Sequence, residues 1–130
     1  MSKLLLVEDN REVAKIISDF LYILGYSVDT AFNINMALEL FNKNSYDFII
    51  TDENLPDRKG SCLVKEIKKK CPNLPVLGVS GNSNQQVQAL FSAGVDGFLT
   101  KPFTLKQLRE KIHALLKKNR NPSKQAKVQL

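Results

Sequence analysis

The sequence predicts an α/β fold, in which five strands alternate with five helices around a single parallel sheet. Short apolar runs bounded by turn-forming residues recur along the chain, and Phe48–Asp52 is the clearest of them. A continuous apolar run of this kind is typical of a parallel strand that is buried on both faces. Between these runs, apolar residues recur at helical spacing, which indicates amphipathic helices. We therefore expect a doubly wound (βα)5 domain with helices on both faces of the sheet.

The first part of the chain predicts two strands, each followed by a helix. Lys3–Val7 is an apolar run, and Ser27–Ala31 is built around Val28. Gly25 is expected to end the first helix, because glycine readily adopts the left-handed conformation found after many helices. The apolar stripe of that helix, expected to be core, consists of Val13, Ile16, Ile17, Phe20, Leu21 and Leu24. The stripe of the second helix consists of Ile34, Ala37, Leu38 and Phe41.

The middle of the chain predicts the third and fourth strands, Phe48–Asp52 and Val76–Ser80. The helix between them, Gly60–Lys70, has its own apolar stripe and ends in three lysines. Positive charge at this end complements the negative end of the helix dipole.

The last part predicts a weaker helix, which follows the polar segment Gly81–Gln86 and ends at Gly94. Gly97–Thr100 is the fifth strand, and Thr104 is expected to cap the final helix. The stripe of that helix consists of Leu105, Leu108, Ile112, Leu115 and Leu116. From Asn119 to Leu130 no periodicity remains, and this segment is expected to fray.

Length and charge predict one domain with a basic tail rather than a nucleic-acid-binding protein. The chain has 130 residues and a formal net charge of +6. Five of its basic residues and none of its acidic ones lie from Lys117 onward, so the rest carries 14 basic and 13 acidic residues. We therefore assign residues 1–118 to the domain and 119–130 to a tail or linker. No apolar run approaches the length of a membrane span, and we expect a cytoplasmic protein.

Cysteine and histidine content excludes several kinds of site. Cys62 and Cys71 have neither a second pair nor a nearby histidine, so we expect two reduced thiols rather than a zinc or redox site. His113 is the only histidine in the chain, which rules out a histidine-based triad and a multi-histidine metal site.

Polar residues follow four of the predicted strands at the point where each strand ends. Glu8-Asp9 follow the first, Asp52 ends the third, Ser80 ends the fourth, and Lys101 follows the fifth. The carboxyl ends of parallel strands meet at one edge of the sheet, where such folds bind ligands. Clustered carboxylates repel one another unless a cation such as Mg²⁺ is bound. At this edge Asp52 can coordinate a cation, act as a nucleophile or cap a turn. Together, the carboxylates, a bound cation, the Lys101 ammonium and the Ser80 hydroxyl suit phosphoryl transfer.

These residues resemble the receiver domains of two-component response regulators. The motifs that match are Glu8-Asp9, Asp52, Leu55-Pro56 with Gly60, Ser80-Gly81 and Lys101-Pro102-Phe103. They occur in the order and spacing of that family, and the similarity covers roughly residues 2 to 118. The resemblance implies a flavodoxin-like sheet of strand order 2-1-3-4-5.

The resemblance also implies a role for each residue at the strand ends. Asp52 would accept a phosphoryl group from a phosphohistidine on a sensor histidine kinase or phosphotransfer protein. Asp9 and the backbone carbonyl of Asn54 would bind Mg²⁺ together with Asp52, and Glu8 would act mainly through a metal-bound water. Lys101 would bind a phosphoryl oxygen and would precede a cis peptide bond at Pro102.

A conformational switch and a downstream partner are implied in the same way. Ser80 would turn inward to the phosphoryl group, and Phe98, at the aromatic switch position, would move inward with it. The signal would pass to an effector protein, without direct nucleic-acid binding or membrane contact by this domain. Receivers often dimerise on phosphorylation, and the resemblance extends that option to this chain.

Some residues depart from the usual pattern of the family. Glu53 stands where an apolar residue usually follows the phosphoacceptor, and we expect its side chain to point to solvent as the strand ends. Ser80 replaces the commoner threonine, and Phe98 lacks the hydroxyl of a tyrosine switch. Asn54 and Asn82 are expected to border the phosphoryl group, and we hypothesise that their amides influence how long it persists.

Three other functions are alternatives to phosphoryl acceptance for signalling. An aspartate-nucleophile phosphatase would need a second aspartate at position 54, where this chain has asparagine, and a substrate-covering cap for which it has no room. A flavin-binding protein would need an anion-binding loop after the first strand. Glu8-Asp9 put two negative charges there, which excludes flavin binding. A non-phosphorylated interaction domain is disfavoured because all the required residues are present. We thus expect a protein that catalyses only its own phosphorylation and dephosphorylation.

Overall fold

The computed structural model describes residues 2–81 and 84–128, with side chains described as far as Lys117. Its five strands all lie at the predicted positions: β1 Lys3–Val7, β2 Ser27–Ala31, β3 Phe48–Asp52, β4 Val76–Ser80 and β5 Gly97–Thr100. The helices between and after them are α1 Arg11–Ile23, α2 Ile34–Lys43, α3 Gly60–Lys70, α4 Asn84–Ala93 and α5 Leu105–Val128.

All strand pairs are parallel, and the strand order is β2-β1-β3-β4-β5, as the resemblance implied. β1 lies between β2 and β3. The chain therefore continues from β1 to β2 on one side and then crosses to β3, β4 and β5 on the other side, so the strand order reverses at β1. Val7 at the end of β1 is in register with Thr51, next to Asp52 at the end of β3. The residues that follow β1 therefore meet the end of β3 at the carboxyl edge, where the reversal of strand order opens a crevice.

Side chains alternate along the strands and form one core on each face of the sheet. On one face, Leu5 and Ile49 pack with buried residues of α2, α3 and α4. On the other face, Leu4 and Ile50 pack with buried residues of α1 and α5. Every residue of β3 and β4 is buried, which explains why these two interior strands are recognisable in the sequence as nearly unbroken apolar runs.

The helix ends agree with the predicted signals at two places. Gly25 has a φ of +101°, and its N–H donates to the carbonyl of Tyr22 at 2.9 Å. Thr104 caps α5 by accepting a hydrogen bond on its hydroxyl oxygen from the N–H of Gln107 at 3.1 Å, and the N–H of Thr104 donates to Oε1 of Gln107 at 2.9 Å. This reciprocal pair is a capping box.

The helices differ from the prediction in three respects. Ile16 is not core but 59% exposed, because the buried line of α1 runs through Ala14, Ile17 and Leu21 on the other side of Val13. α4 begins within the predicted polar segment, at Asn84.

α5 continues to Val128, past the point where fraying was expected. We attribute this extension to the lysine, glutamine and alanine residues of the segment, which are good helix formers, against the cost of Pro122. Residues 129–130 lie outside the described part, and whether the segment serves as tail or linker stays a prediction. Among the described residues, no helix is long and apolar enough to cross a membrane.

The turn from β3 into α3 depends on Gly60. A Cβ atom placed on this glycine would overlap the backbone carbonyl oxygen of Asp52. We expect Gly60→Ala to lower the free energy of unfolding by about 1–3 kcal/mol, because the backbone must shift to relieve the overlap. Urea denaturation measures the loss.

Gly81→Ala is the matched control for this change. Of the residues that the structure describes, a Cβ atom there would meet the Gln86 side chain alone, at 3.9 Å. We expect this variant to unfold close to wild type, and equal destabilisation by both substitutions would contradict the packing argument for Gly60.

Candidate functional site

Three carboxylates converge at the carboxyl edge of the sheet. Glu8 and Asp9 follow β1 and Asp52 ends β3, and one oxygen of each lies within 4.8 Å of the others. Glu8 and Asp52 are buried, whereas Asp9 is exposed. The sequence placed these acids together, and the structure does so. A set of carboxylate oxygens at this spacing could hold a hard divalent cation.

Lys101 lies against two of these acids. Its Nζ is 2.7 Å from Oδ2 of Asp52 and 3.4 Å from Oε1 of Glu8. The loop that carries it is fixed by a hydrogen bond from the N–H of Lys101 to the carbonyl of Ser80, at 2.7 Å. The peptide bond to Pro102 is cis, as the resemblance implied.

One ammonium group does not neutralise three carboxylates, and the electrostatics of the site reflect this. Burial raises the pKa of Glu8 above its usual value, and the charge of Asp52 adds to the rise, although the N–H of Asn10 and Lys101 oppose it. Burial alone would lower the pKa of Lys101, but the hydrogen bond and charge of Asp52, with those of Glu8, raise it above its usual value.

The sign of the Glu8 shift determines how it acts on folding. A carboxyl whose pKa is raised by folding contributes stability at pH values below its usual pKa. That contribution is lost as the pH rises through the raised value. At neutral pH the charged Glu8 is therefore a cost to the folded protein, which a bound cation would reduce.

The loop after β3 is held against the site and against α2. The N–H of Asn54 donates to Oδ1 of Asp52 at 3.3 Å, and Asn54 forms an isolated bridge with Lys59. Asp57 accepts hydrogen bonds from the N–H groups of Ile34 and Asn35 at 2.9 and 3.0 Å. Although partial desolvation opposes it, these bonds hold the pKa of Asp57 below its usual value. Asn54 thus contacts the site through Asp52 and Lys59, whereas Asp57 contacts α2.

The two residues predicted to form the switch lie on neighbouring strands. Ser80 is buried, and its hydroxyl donates to the carbonyl of Gly81 at 3.0 Å. Phe98 is half-buried against the core beneath α4, with its ring centroid 5.9 Å from that of Phe91. Asn82, the second amide predicted to border the site, lies outside the described residues.

The prediction that the Glu53 side chain points to solvent is wrong, because this residue is only 3% exposed. The strand pairing continues through Glu53, whose N–H donates to the carbonyl of Val79 at 2.9 Å. Successive residues of a strand face opposite sides, so Glu53 faces away from the side occupied by Asp52. There its carboxylate accepts hydrogen bonds from Ser61 at the start of α3. This alternation is the sequence signal that could have placed Glu53 inside.

An apolar groove of about 570 Å³ lies beside Lys101, between α1 and the loop into α5. It is lined mainly by Val13, Ile16, Ile17, Phe103 and Leu105. The exposed Ile16 that the helical stripe had assigned to the core is therefore part of a surface next to the acidic site.

Cys62 and Cys71 are both exposed and unpaired, as predicted. Among the described residues, neither cysteine belongs to a disulfide or to a group with metal-binding spacing. Glu8, Asp9 and Asp52 are the one group with such spacing in that part of the chain.

Comparison with known proteins agrees with this geometry. Residues 4–113 match the sequence profile of the response regulator receiver domain. The chain is 36% identical over 124 residues to the transcriptional regulatory protein CpxR homolog of Haemophilus influenzae, which covers 95% of this chain and 54% of that protein. It is 32% identical over 120 residues to the chemotaxis protein CheY-3 of Vibrio cholerae, covering 89% of this chain and 92% of that protein.

A solved structure with the same fold is that of the response regulator protein TrrA from Thermotoga maritima. It superposes with a TM-score of 0.81 at 29% identity, and the match covers 88% of this chain and 99% of that one. The chain thus spans about half of the CpxR homolog and nearly all of CheY-3 and TrrA. The profile match, the strand order and the acidic cluster agree, and the chain belongs to the receiver domains of two-component response regulators.

Proposed function

We propose that Asp52 accepts a phosphoryl group from a phosphohistidine, with Mg²⁺ held by Asp9, Asp52 and the carbonyl of Asn54 and with Glu8 acting mainly through a metal-bound water. The observation that supports this most directly is the convergence of three carboxylates within 4.8 Å, with Lys101 Nζ 2.7 Å from Asp52. Hard oxygen ligands are those that Mg²⁺ prefers. The TrrA structure was determined in complex with Mg²⁺ and BeF, which supports the same cation here.

The chemistry is a displacement at phosphorus. An oxygen of Asp52 attacks, the bond from phosphorus to the donor nitrogen breaks, and an acyl phosphate forms on Asp52 while the donor imidazole regains its electron pair. Lys101, already paired with Asp52, supplies positive charge to the phosphoryl oxygens. When bound, the cation neutralises further charge on the same oxygens.

The switch would work by exchange of one hydrogen bond. Ser80 now donates to the carbonyl of Gly81, and after phosphorylation its hydroxyl would donate to the phosphoryl group instead. Phe98 lies on the next strand with its ring against Phe91, and it would move inward into the space that Ser80 leaves. Phe98 has no hydroxyl, so this movement would act through packing alone.

The phosphodonor protein would bind at the apolar groove beside Lys101. A phosphohistidine must approach the carboxyl edge to reach Asp52, and Ile16 and Leu105 expose apolar surface there. The donor is a histidine kinase or phosphotransfer protein, and an effector protein reads the phosphorylated state. We also propose that the protein is cytoplasmic and can dimerise on phosphorylation. The only reactions that it catalyses would be the phosphorylation and dephosphorylation of its own Asp52.

The experiment that tests this function uses a small phosphodonor in place of the kinase. The protein is incubated with the donor and Mg²⁺, and its intact mass is measured. We expect the gain of one phosphoryl group, which is absent when the cation is chelated. Borohydride converts an aspartyl phosphate to homoserine, and peptide mapping should then find homoserine at position 52. Reduction at another carboxylate would contradict the proposal.

A further inference from the structure

Glu53 is a buried carboxylate directly after the proposed phosphoacceptor. Its side chain is 3% exposed, and among the described residues it forms no ion pair with a basic side chain. Within the described part of the chain its hydrogen bonds come from Ser61: the N–H of Ser61 donates to Oε1 at 2.8 Å, and the hydroxyl of Ser61 donates to Oε2 at 3.3 Å. A buried charge is costly unless it is hydrogen-bonded, so this contact has a structural role.

α3 lacks a cap of its own, and Glu53 supplies one. Lys59, at the N-cap position, makes no side-chain capping bond, and Gly60 has no side chain with which to make one. The carboxylate of Glu53 instead reaches the N–H of Ser61, and the carbonyl of Glu53 accepts from the N–H of Gly60 at 2.9 Å. The negative charge also lies at the positive end of the helix dipole. Glu53, directly after β3, thus holds the first turn of α3 at two points.

This attachment closes the loop that contains Asn54. The loop begins directly after Glu53 and ends at Gly60, which lies against the carbonyl of Asp52. Asn54 bridges to Lys59 across it and donates its N–H to Asp52 at 3.3 Å. A loop fixed at its base presents its carbonyl groups in one position.

We propose that Glu53 is a positioning residue, whose carboxylate holds the N-terminus of α3 against the end of β3 and thereby sets the affinity of the site for a divalent cation. This inference rests on the proposed function, in which the Asn54 carbonyl is a metal ligand. Groups that orient metal ligands commonly contribute about 10- to 100-fold to metal affinity.

The test compares two substitutions that differ in one property. Glu53→Gln removes the charge but keeps an oxygen that can accept from the N–H of Ser61. Glu53→Leu removes both, and Glu53→Met serves if the leucine variant does not fold. Calorimetric titration with Mg²⁺ measures affinity in the unphosphorylated protein, and amide hydrogen exchange of Gly60 and Ser61 measures the attachment of α3 without metal. We expect Leu or Met to weaken Mg²⁺ binding about tenfold and speed exchange, and Gln to remain close to wild type in both.

Asp96→Ala provides the matched control. Asp96 also accepts from a backbone N–H, that of Val76 at 2.8 Å, and from Lys68 at 2.7 Å, but at the opposite edge of the sheet. This variant should lose stability and keep its Mg²⁺ affinity.

Three results would overturn the inference. One is wild-type affinity in the leucine or methionine variant, and another is an equal weakening by glutamine, which would assign the effect to charge. A wild type that binds no Mg²⁺ would overturn it together with the metal site of the proposed function. The first two results leave phosphorylation of Asp52 intact, so the two failures can be told apart.

Discussion

Asp52→Asn is expected to abolish phosphoryl incorporation, with no gain in intact mass under conditions in which the wild type gains one group. Asparagine has nearly the size of aspartate but lacks the anionic oxygen that attacks phosphorus. It also removes one of the three clustered carboxylates that could hold the cation, and the anionic partner of Lys101 at 2.7 Å. Because the side chain lies at the sheet edge and its backbone pairing with β4 is unchanged, the fold should persist. Mass spectrometry of intact protein gives the result directly.

Asp57→Asn is the control, because it makes the same chemical change five positions further along the chain. Asp57 caps α2 through the N–H groups of Ile34 and Asn35 and does not belong to the acidic cluster. This variant should accept a phosphoryl group as the wild type does. An adduct of equal stoichiometry in Asp52→Asn would place the acceptor on another residue and contradict the proposal.

The strands and the acidic cluster were predictable because they depend on local pattern and on one topological rule. Phe48–Asp52 is apolar because β3 is covered on both faces, and this burial is visible in the sequence. Once the strands are parallel, Glu8, Asp52 and Lys101 must lie at the same edge. The resemblance to receiver domains then supplied the strand order and the cis bond at Pro102, which periodicity alone could not.

The errors lie where a side chain depends on what another element places beside it. Ile16 has the spacing of a core residue, but α1 is rotated so that it borders the groove beside Lys101. Glu53 is charged and was assigned to solvent, although the first turn of α3 supplies the donors that permit its burial. Both outcomes are set by tertiary packing, which overrides local propensity.

Lys101→Met is expected to slow phosphorylation of Asp52 by about 100- to 1000-fold, the cost of removing one fixed charge or donor aimed at a developing charge. In the unmodified protein the ammonium lies 2.7 Å from Asp52 and 3.4 Å from Glu8. Methionine preserves the length of the side chain and removes its charge, so Asp52 keeps its nucleophilic oxygen and some transfer should remain. The initial rate at saturating Mg²⁺ and phosphodonor, followed by intact mass, measures the change.

The same substitution should also destabilise the metal-free protein, because it leaves Glu8 and Asp52, two of the three clustered carboxylates, without their cationic partner. The loss should be smaller than the about 3–5 kcal/mol that breaking a fully buried pair costs. The Lys101 side chain is 37% exposed, so water already screens the interaction. Mg²⁺ should then stabilise Lys101→Met more than wild type, since the cation relieves a repulsion that Lys101 otherwise reduces.

Lys15→Met controls for the loss of one positive charge, because Lys15 forms an exposed pair with Asp19 on α1 at 3.0 Å. This variant should keep the wild-type rate and the wild-type response to Mg²⁺. If Lys101→Met phosphorylated at the wild-type rate, Lys101 would be only a structural counter-ion for Asp52 and Glu8. If Lys101→Met lost activity but was stabilised by Mg²⁺ no more than the wild type, the three carboxylates would not share the cation. Glu8 or Asp9 would then not belong to the metal site.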